Sequence, residues 1–483
     1  MKHTLTIILV LPLLLLAACH GKPDSAVPTQ QLPQLRPELA GAVLPVNIAA
    51  PSFMIADTAE YYHTEIGRAG HEPCITISSS SAAVMPPLDK WHDLLSDAAG
   101  DSIYIRITLE RGGEALQLRD AVCHVSPDTI DRYLVYRLLY PGYELWHDMG
   151  IYQRDLTNYE QVAVLDNSEF DRQCVNCHSF VGGSPETMMV HVRGAKGGTI
   201  IRRDGKVVKV SPNCPALENG AAYPAWHPSG RFIAFANNDI KQFFHTSGTK
   251  TIEVSDLAAD LSIYDVDADT ASAIQGLSSK EWMETFPAWA PDGRALYFCR
   301  ARQYQEGGAL DSIRYDLCRA SFDPASRVFG EPEIVVAAAD SMRSVSFPRV
   351  SPDGRYLLYT LSSYGNFSIW HPESNLWLLD LTDGITRPMD ELNSDDVDSY
   401  HSWSANGRWI VFSSKRMDGL WARPFIAAFD PSTGQASAPF AVPQQTPLFY
   451  DDFMRTFNIP ELIRTPITDM RQLVDAANAP KPQ

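Results

Sequence analysis

Four apolar runs, each four residues long, recur in the second half of the chain. Every position within a run is apolar, which predicts strands that are buried on both faces. The runs occupy residues 232–235, 295–298, 356–359 and 409–412. A different pattern spans residues 103–110, where Ile103, Ile105, Ile107 and Leu109 alternate with more polar residues. That alternation predicts a half-buried strand.

A nine-residue turn motif precedes each apolar run. Its core is seen in Pro291-Asp292-Gly293-Arg294. Proline fixes φ, aspartate bonds back to the backbone and glycine accepts a positive φ, so the core is the chemistry of a tight turn. The motif occupies residues 223–231, 286–294, 347–355 and 400–408, and its starts lie 63, 61 and 53 residues apart. This period suits one four-stranded propeller blade with its loops.

The repeat closely resembles the β-propeller repeat of the TolB family of periplasmic proteins, over residues 223 to about 445. Propellers of that family usually have six blades, so the resemblance implies two more blades upstream. When the six segments are aligned, the position equivalent to Pro348, which we call the head of each blade, falls at residues 123, 178, 224, 287, 348 and 401. The first two blades are degenerate and could instead belong to a separate β-domain. The expected fold is all-β: a β-propeller of six TolB-type blades with a small N-terminal β-rich domain.

These patterns divide the chain into five parts. They are a lipoprotein signal peptide (1–18), a Pro-rich linker (19–45), a small β-rich domain (46–120), the propeller (121–447) and a C-terminal tail (448–483). Residues 89–99 predict a short helix in the β-rich domain. In the tail, residues 466–477 predict a second helix with one apolar face, which more often packs on the body of a protein than binds a partner.

The segment Cys174-Val175-Asn176-Cys177-His178 carries the most specific chemistry of the chain. Cys-x-x-Cys-His is the attachment pattern of haem c: the two thiols bind the porphyrin and the imidazole becomes the proximal iron ligand. The alternatives are a Cys-x-x-Cys disulfide, or half of a zinc site without a second Cys-x-x-Cys pair. The motif predicts one covalent haem c held by Cys174, Cys177 and His178.

The repeat alignment places this motif at the head of the second blade, where an inner strand lines the central channel. Haem would then lie at or near the channel mouth. The distal iron ligand stays open, and Met188, Met189 and His191 follow the motif closely. Histidines of other blades are alternatives: His124, His147, His227 and His401.

The N-terminus predicts export and lipid anchoring. A basic start precedes an apolar run at residues 5–16, and Leu16-Ala17-Ala18-Cys19 resembles a bacterial lipobox. Cys19 would then be the lipidated first residue of the mature chain; the alternative is an ordinary signal peptide with an incidental cysteine. Residue 20 is His rather than Asp, so the simple inner-membrane retention signal is absent and the outer membrane is favoured.

Charge and motifs narrow the function classes. The net charge of −18 argues against a nucleic-acid partner. No Gly-x-Ser-x-Gly elbow, His-Glu-x-x-His or phosphate loop occurs, so enzymatic activity has little support. The leading hypothesis is a membrane-anchored monohaem c-type cytochrome of the cell envelope, for electron transfer or haem-based sensing with an unidentified redox or envelope partner. The alternative is a haem-free TolB-like propeller that binds an envelope protein or glycan.

Overall fold

The computed structural model describes residues 23, 25–140, 148–247, 250 and 252–482. Cys19 and His147 lie outside these residues. The first part of the described chain forms an N-terminal domain of two sheets and one helix. Its elements are β1 (Val27–Pro28), β2 (Leu35–Arg36), β3 (Val43–Pro45), β4 (Phe53–Ile55), β5 (Tyr61–Arg68), β6 (Ile75–Ser79), β7 (Ala83–Val84), α1 (Leu88–Asp97), β8 (Ser102–Arg111), β9 (Glu114–Gln117) and β10 (Ala121–Ser126).

The strand and the short helix predicted for this domain are confirmed as β8 and α1. The strand is more buried than its alternation predicts, because Tyr104 and Thr108 of its polar face are buried as well. A seven-stranded sheet contains the path β1-β9-β8-β10-β3, with β5 on β8 and β6 on β5, while β2, β4 and β7 form a separate sheet. Residues 19–45 were predicted to be a Pro-rich linker, but residues 27–45 contribute three strands, β1, β2 and β3, to the folded domain. Leu35, Leu39 and Leu44 are buried there, so these leucines anchor the proline-rich chain in the core.

Six further sheets form the propeller. Blade 1 contains β11 (Tyr133–Leu139), β12 (Met149–Asp155) and β13 (Gln161–Asp166). Blade 2 contains β14 (Cys174–Val181), β15 (Ser184–Arg193), β16 (Gly198–Arg203) and β17 (Lys206–Val210). Blade 3 contains β18 (Ala221–Trp226), β19 (Phe232–Phe244), β20 (Ile252–Asp265) and β21 (Thr270–Ala273).

The later blades follow the same antiparallel order. Blade 4 contains β22 (Trp282–Trp289), β23 (Ala295–Arg302), β24 (Asp316–Asp323), β25 (Val328–Phe329) and β26 (Glu333–Val336). Blade 5 contains β27 (Ser344–Val350), β28 (Tyr356–Ser362), β29 (Asn375–Asp380) and β30 (Thr386–Pro388). Blade 6 contains β31 (Asp398–Trp403), β32 (Trp409–Ser414), β33 (Arg423–Asp430), β34 (Gln435–Ala436) and β35 (Phe440–Ala441). The C-terminal segment adds α2 (Phe449–Asp452), β36 (Thr456–Ile463) and α3 (Met470–Asn478).

Strand β36 closes the propeller by pairing with β11 as the fourth strand of blade 1. The alignment placed the head of this blade at residue 123, and that placement is wrong: Cys123 lies on β10 and pairs with Ile103 in the N-terminal sheet. The local pattern found the turn and β11 correctly, but it could not show which distant segment would pair with β11. Pairing with the C-terminal strand covers the inner edge of β11, which would otherwise be open.

One backbone irregularity marks the inner strands. Tyr223, Phe286, Phe347, Tyr400 and Ile459 all have φ between 44° and 52°. Each lies at a bulge where the pairing with the next strand shifts register. Left-handed backbone is costly for such residues. Its recurrence in five inner strands shows that blade geometry imposes it, and that Ile459-Pro460 of β36 belongs to the repeat.

The N-terminal domain packs onto the propeller through a shared core. One hydrophobic cluster runs from Trp91 and Ile105 of that domain to Tyr356, Trp409 and Phe457 of blades 5, 6 and 1. The predicted helix in the tail is confirmed as α3, which buries Leu473, Val474 and Ala477 against blades 1 and 2. Its apolar face therefore packs on the body of the protein.

Candidate functional site

The inner strands of all six blades meet around a central channel. Four aromatic side chains form a ring that narrows this channel, which we call the aromatic ring: Tyr223, Phe286, Phe347 and Tyr400. Neighbouring ring centroids lie 4.6 Å apart for Tyr223 and Phe286, 4.2 Å for Phe286 and Phe347, and 4.5 Å for Phe347 and Tyr400. Cys177 of blade 2 lines the same constriction with these aromatics. The cavity enclosed there has a volume of about 20 Å³, which is enough for about one water molecule.

The end of the channel where the inner strands begin is covered. Phe367, which follows β28 of blade 5, lies 6.2 Å from Tyr223 and 6.4 Å from Phe286 between ring centroids. Beside it, Asn366 donates a hydrogen bond to Asp256 of blade 3, and the Tyr315 hydroxyl of blade 4 donates to the same carboxylate at 3.1 Å. These contacts tie three blades together over that end of the channel.

The opposite end opens into a cavity of about 380 Å³, which we call the vestibule. It is lined by residues from all six inner strands and the turns that follow them. Four blades contribute a large aromatic side chain each: Phe180, Trp226, Trp289 and Trp403. Arg349 and Glu461 line both the vestibule and the small cavity beneath it, so they form the vestibule floor.

Arg349 and Glu461 occupy one position of the repeat, the second residue after the left-handed one. Small residues stand at this position in the other blades: Ser179, Ala225, Ala288 and Ser402. Our sequence analysis missed both charged residues. The available signal was a charge at a repeat position that is otherwise small.

The two floor charges do not neutralise each other directly. They come from blades 5 and 1, and no ion pair within 4.0 Å joins them. Burial raises the pKa of Glu461 to about 7, although the charge of Arg349 opposes this. Burial also lowers the pKa of Arg349. Arg349 does donate one hydrogen bond, to its neighbour Pro348 at 3.2 Å. Both side chains are half-buried and face the open vestibule.

The rim of the vestibule holds an unused donor. The indole N–H of Trp289 donates to the Ala225 carbonyl at 3.1 Å, and that of Trp403 donates to the Arg349 carbonyl at 3.0 Å. The corresponding Nε1 of Trp226 is buried without a hydrogen-bond partner. A buried polar atom without a partner costs free energy.

The structure brings Cys174, Cys177 and His178 together on β14, the innermost strand of blade 2. All seven cysteines of the described chain are free thiols. Cys174 is half-buried near Arg137 and Arg193, and burial raises its thiol pKa despite both charges. Cys177 is 5% exposed and His178 is 3% exposed. Burial, with a contribution from Arg137, lowers the pKa of His178 to about 3, so its imidazole is neutral.

His178 has a structural counterpart in blade 6. His401 donates from Nε2 to the Leu358 carbonyl of the preceding blade at 2.9 Å, and its pKa is also lowered to about 3 by burial. His178 faces the equivalent backbone of its preceding blade, at Val135 and Ile459. A buried imidazole at this position therefore also serves blade packing. Each histidine has one ring nitrogen without a hydrogen-bond partner: Nε2 in His178 and Nδ1 in His401.

The donor set has the chemistry that haem c requires, but its surroundings do not fit the porphyrin. Two free thiols and an imidazole with an unused Nε2 are the correct groups. The cavity that Cys177 and His178 line has a volume of only about 20 Å³. Pockets that bind small molecules or cofactors have volumes of about 300 to 1,000 Å³. In this arrangement the His178 ring packs against blade 1 instead of facing a haem-sized space.

The three candidate distal ligands lie on β15, which pairs directly with β14. Val190 is opposite His178, so Met188 shares the face of His178 while Met189 and His191 lie on the other face. Met188 and Met189 are fully buried in different cores. His191 is buried and its Nδ1 lies 2.9 Å from the Thr199 hydroxyl. None of these side chains stands across an open space from His178.

The other histidines considered as ligands are dispersed. His124 lies on β10 of the N-terminal domain. His227 is buried, with Nε2 3.0 Å from the Gly293 carbonyl and Nδ1 2.7 Å from the Ser229 hydroxyl. Within the described ranges, no cluster of three or more His, Cys, Asp or Glu side chains could hold a metal ion. The described helices include none that is long and apolar enough to cross a membrane.

Comparisons with known proteins concern the fold. No protein-family model matches this sequence. No curated protein matches it either. Solved structures with a similar fold include the β-propeller domain of the Trilobed protease from Pyrococcus furiosus, at 8% identity over 72% of this chain and 96% of that chain, with a TM-score of 0.32. A DUF4784 family protein from Bacteroides caccae matches at 9% identity over 74% and 94%, with a TM-score of 0.31.

A puromycin-hydrolysing peptidase from Mycobacterium tuberculosis matches at 12% identity over 87% of this chain and 57% of that one, with a TM-score of 0.36. At these identities and TM-scores the matches carry no conclusion about this chain. The sheets of the chain itself carry the assignment, since β11 to β36 form six consecutive antiparallel sheets around one channel. The protein is an all-β propeller.

Proposed function

We propose that this protein is a binding module of the bacterial cell envelope, anchored by lipid on Cys19, which takes its ligand at the vestibule. One observation carries the proposal: Arg349 and Glu461 stand unpaired with each other on the floor of an open cavity, at a repeat position where other blades have small residues. Buried charges are usually paired. Two that face a cavity instead are suited to a ligand. An envelope protein or a glycan remains the proposed class of partner.

Binding of an anionic aromatic probe tests this proposal. The test protein carries Cys19→Ser, which removes the lipidation thiol, and an ordinary cleavable secretion signal in place of residues 1–18; it should leave the membrane fraction as a water-soluble protein. We expect it to bind 1-anilinonaphthalene-8-sulfonate at one saturable site, because the sulfonate meets Arg349 and the rings meet the aromatic rim. Arg349→Gln in the same background should weaken this binding about tenfold, the typical effect of losing a charge-assisted hydrogen bond. Probe fluorescence measures the affinity.

Arg471→Gln is the matched control, because Arg471 is an exposed arginine of α3 that does not line the vestibule. Its affinity for the probe should equal that of the parent. Equal affinity of the Arg349→Gln variant would contradict a vestibule site. A protein that stays in the membrane fraction after Cys19→Ser would contradict the lipid anchor.

A second candidate function is a monohaem c-type cytochrome, for electron transfer or haem-based sensing. The observation that favours it is that the buried Nε2 of His178 has no hydrogen-bond partner. His178 directly follows Cys177, and Cys174 and Cys177 are both free thiols. When bound, haem c supplies one-electron redox chemistry. The packing around β14 would have to differ from that described above, because the porphyrin needs a space beside His178.

Haem staining of a denaturing gel tests this candidate. In a strain that carries the haem c maturation proteins, the wild-type chain should retain a covalent haem and the Cys174→Ala, Cys177→Ala double variant should lose it. The matched control is Cys299→Ala with Cys318→Ala, which removes two buried thiols of blade 4 and should keep the stain. An unstained wild-type chain would contradict the cytochrome hypothesis and leave the binding module as the proposed function.

A further inference from the structure

We infer that the vestibule binds the carboxyl-terminal end of an extended peptide, with the terminal carboxylate on Arg349 and the last backbone N–H groups directed to Glu461. This inference rests on the proposed function and names the ligand class of the same site. It follows from three features of the vestibule: the fixed cation of the floor, the acceptor beside it, and a shape with a single open end.

The fixed charge of the floor is the Arg349 guanidinium. An arginine stays protonated at any physiological pH, even where burial lowers its pKa as it does here. No carboxylate lies within 4.0 Å of it in the described chain, and its one assigned hydrogen bond goes to the adjacent Pro348 carbonyl. The planar guanidinium binds carboxylates through two parallel hydrogen bonds. Arg349 therefore selects an anionic group.

Glu461 favours a ligand that carries hydrogen-bond donors next to its anionic group. Its oxygens accept hydrogen bonds, and burial raises its pKa to about 7, so it does not fully cancel the charge of Arg349 near neutral pH. A ligand that was only an anion would leave Glu461 without donors, and a ligand that was only a cation would meet Arg349. The end of a peptide carries a carboxylate and N–H donors within a few ångströms of each other, and terminal carboxylates are a recognised binding determinant.

The shape of the channel admits a chain end rather than a chain middle. The aromatic ring around Phe286 closes the channel below the floor, and Phe367 covers the ring from the far side. A ligand must therefore enter from the open end with its polar tip first. The aromatic rim lies outward of the two charges, where Trp289 and Trp403 can pack against the last side chains. A volume of about 380 Å³ suits a few residues.

Competition with the fluorescent probe tests the inference in the Cys19→Ser protein. The ligands are an N-acetylated tripeptide of two alanines and a phenylalanine with a free carboxyl terminus, and the same peptide with a carboxamide terminus. We expect the free acid to displace the probe with about tenfold higher affinity than the amide. Arg349→Gln should reduce this preference to less than about twofold, whereas Arg471→Gln should preserve it.

Several outcomes would overturn the inference. Equal affinity of acid and amide in the parent protein would show that Arg349 does not read the carboxylate. Two further competitors distinguish the alternatives: the carboxamide peptide with a free amino terminus, and galacturonate. Tighter binding of the first than of the free acid would assign the site to an amino terminus, and tighter binding of the second would assign it to a sugar acid. These results leave the vestibule as a binding site. In contrast, probe affinity that is unchanged in the Arg349→Gln variant would contradict the proposed function itself, namely ligand binding at the vestibule.

Discussion

A chain that ends at Arg455 should lose the cooperative thermal unfolding of the full-length protein. The truncation removes β36, the strand that completes blade 1 and joins the C-terminus to the start of the propeller. It removes the buried side chains Phe457, Leu462 and Ile463 and exposes the paired edge of β11. Each large apolar side chain contributes about 1.5 to 3 kcal/mol when fully buried. The combined loss is comparable with the entire stability of a typical domain.

Circular dichroism during heating measures this effect. A chain that ends at Ala479 is the control, because it keeps β36, α3 and the hydrogen bonds from Lys209 to the Ala477 and Ala479 carbonyls. It should unfold like the full-length protein. A chain ending at Arg455 with an unchanged transition would show that the propeller does not depend on closure by its C-terminal strand.

Phe286→Ala should lower the free energy of unfolding by about 3 to 5 kcal/mol, the range for deleting a buried phenylalanine. Phe286 is 2% exposed. Its ring contacts Tyr223 of blade 3 and both Phe347 and Phe367 of blade 5. The cavity left by alanine cannot collapse easily, because neighbouring blades hold the other rings in place. Denaturant titration followed by tryptophan fluorescence measures the change.

Phe244→Ala is the matched control for this substitution. Phe244 is 54% exposed at the end of β19, so its truncation should cost less than about 1 kcal/mol. Similar losses for the two variants would mean that the aromatic ring is not a structural element of the channel. A large loss for Phe286→Ala alone would establish the ring as the contact on which the blades converge.

The repeats were predictable from sequence because their determinants are local. Pro, Asp or Asn, and Gly favour a tight turn, and a strand covered on both sides needs an unbroken apolar run. Blades 4 and 5 have Pro-Asp-Gly, blade 3 has Pro-Ser-Gly and blade 6 has Ala-Asn-Gly; all four have the apolar run, and the structure has its strands at the predicted positions. The start of the second blade was also recognised, at Cys177 and His178, which replace the usual aromatic and proline, and the structure has both on the inner strand β14.

The vestibule was not predictable in the same way. Arg349 and Glu461 are 112 residues apart, and only propeller closure brings them to one floor. Each is conspicuous only after the blades have been aligned, because both stand where the other blades have Ala or Ser. Glu461 was further hidden because β36 was predicted as part of a tail and was not aligned with the repeat.

The sequence by itself determined the strands, the turns and the period of this protein, since these depend on residues within one blade. It also identified Cys174, Cys177 and His178 as the residues with the chemistry of haem attachment. Only the tertiary structure decided what surrounds them. It placed His178 against blade 1, closed the channel around Phe286 and brought Arg349 and Glu461 to one open end. The physical reason is that enclosure depends on contacts between blades, which join segments too distant in the chain for any local pattern to specify.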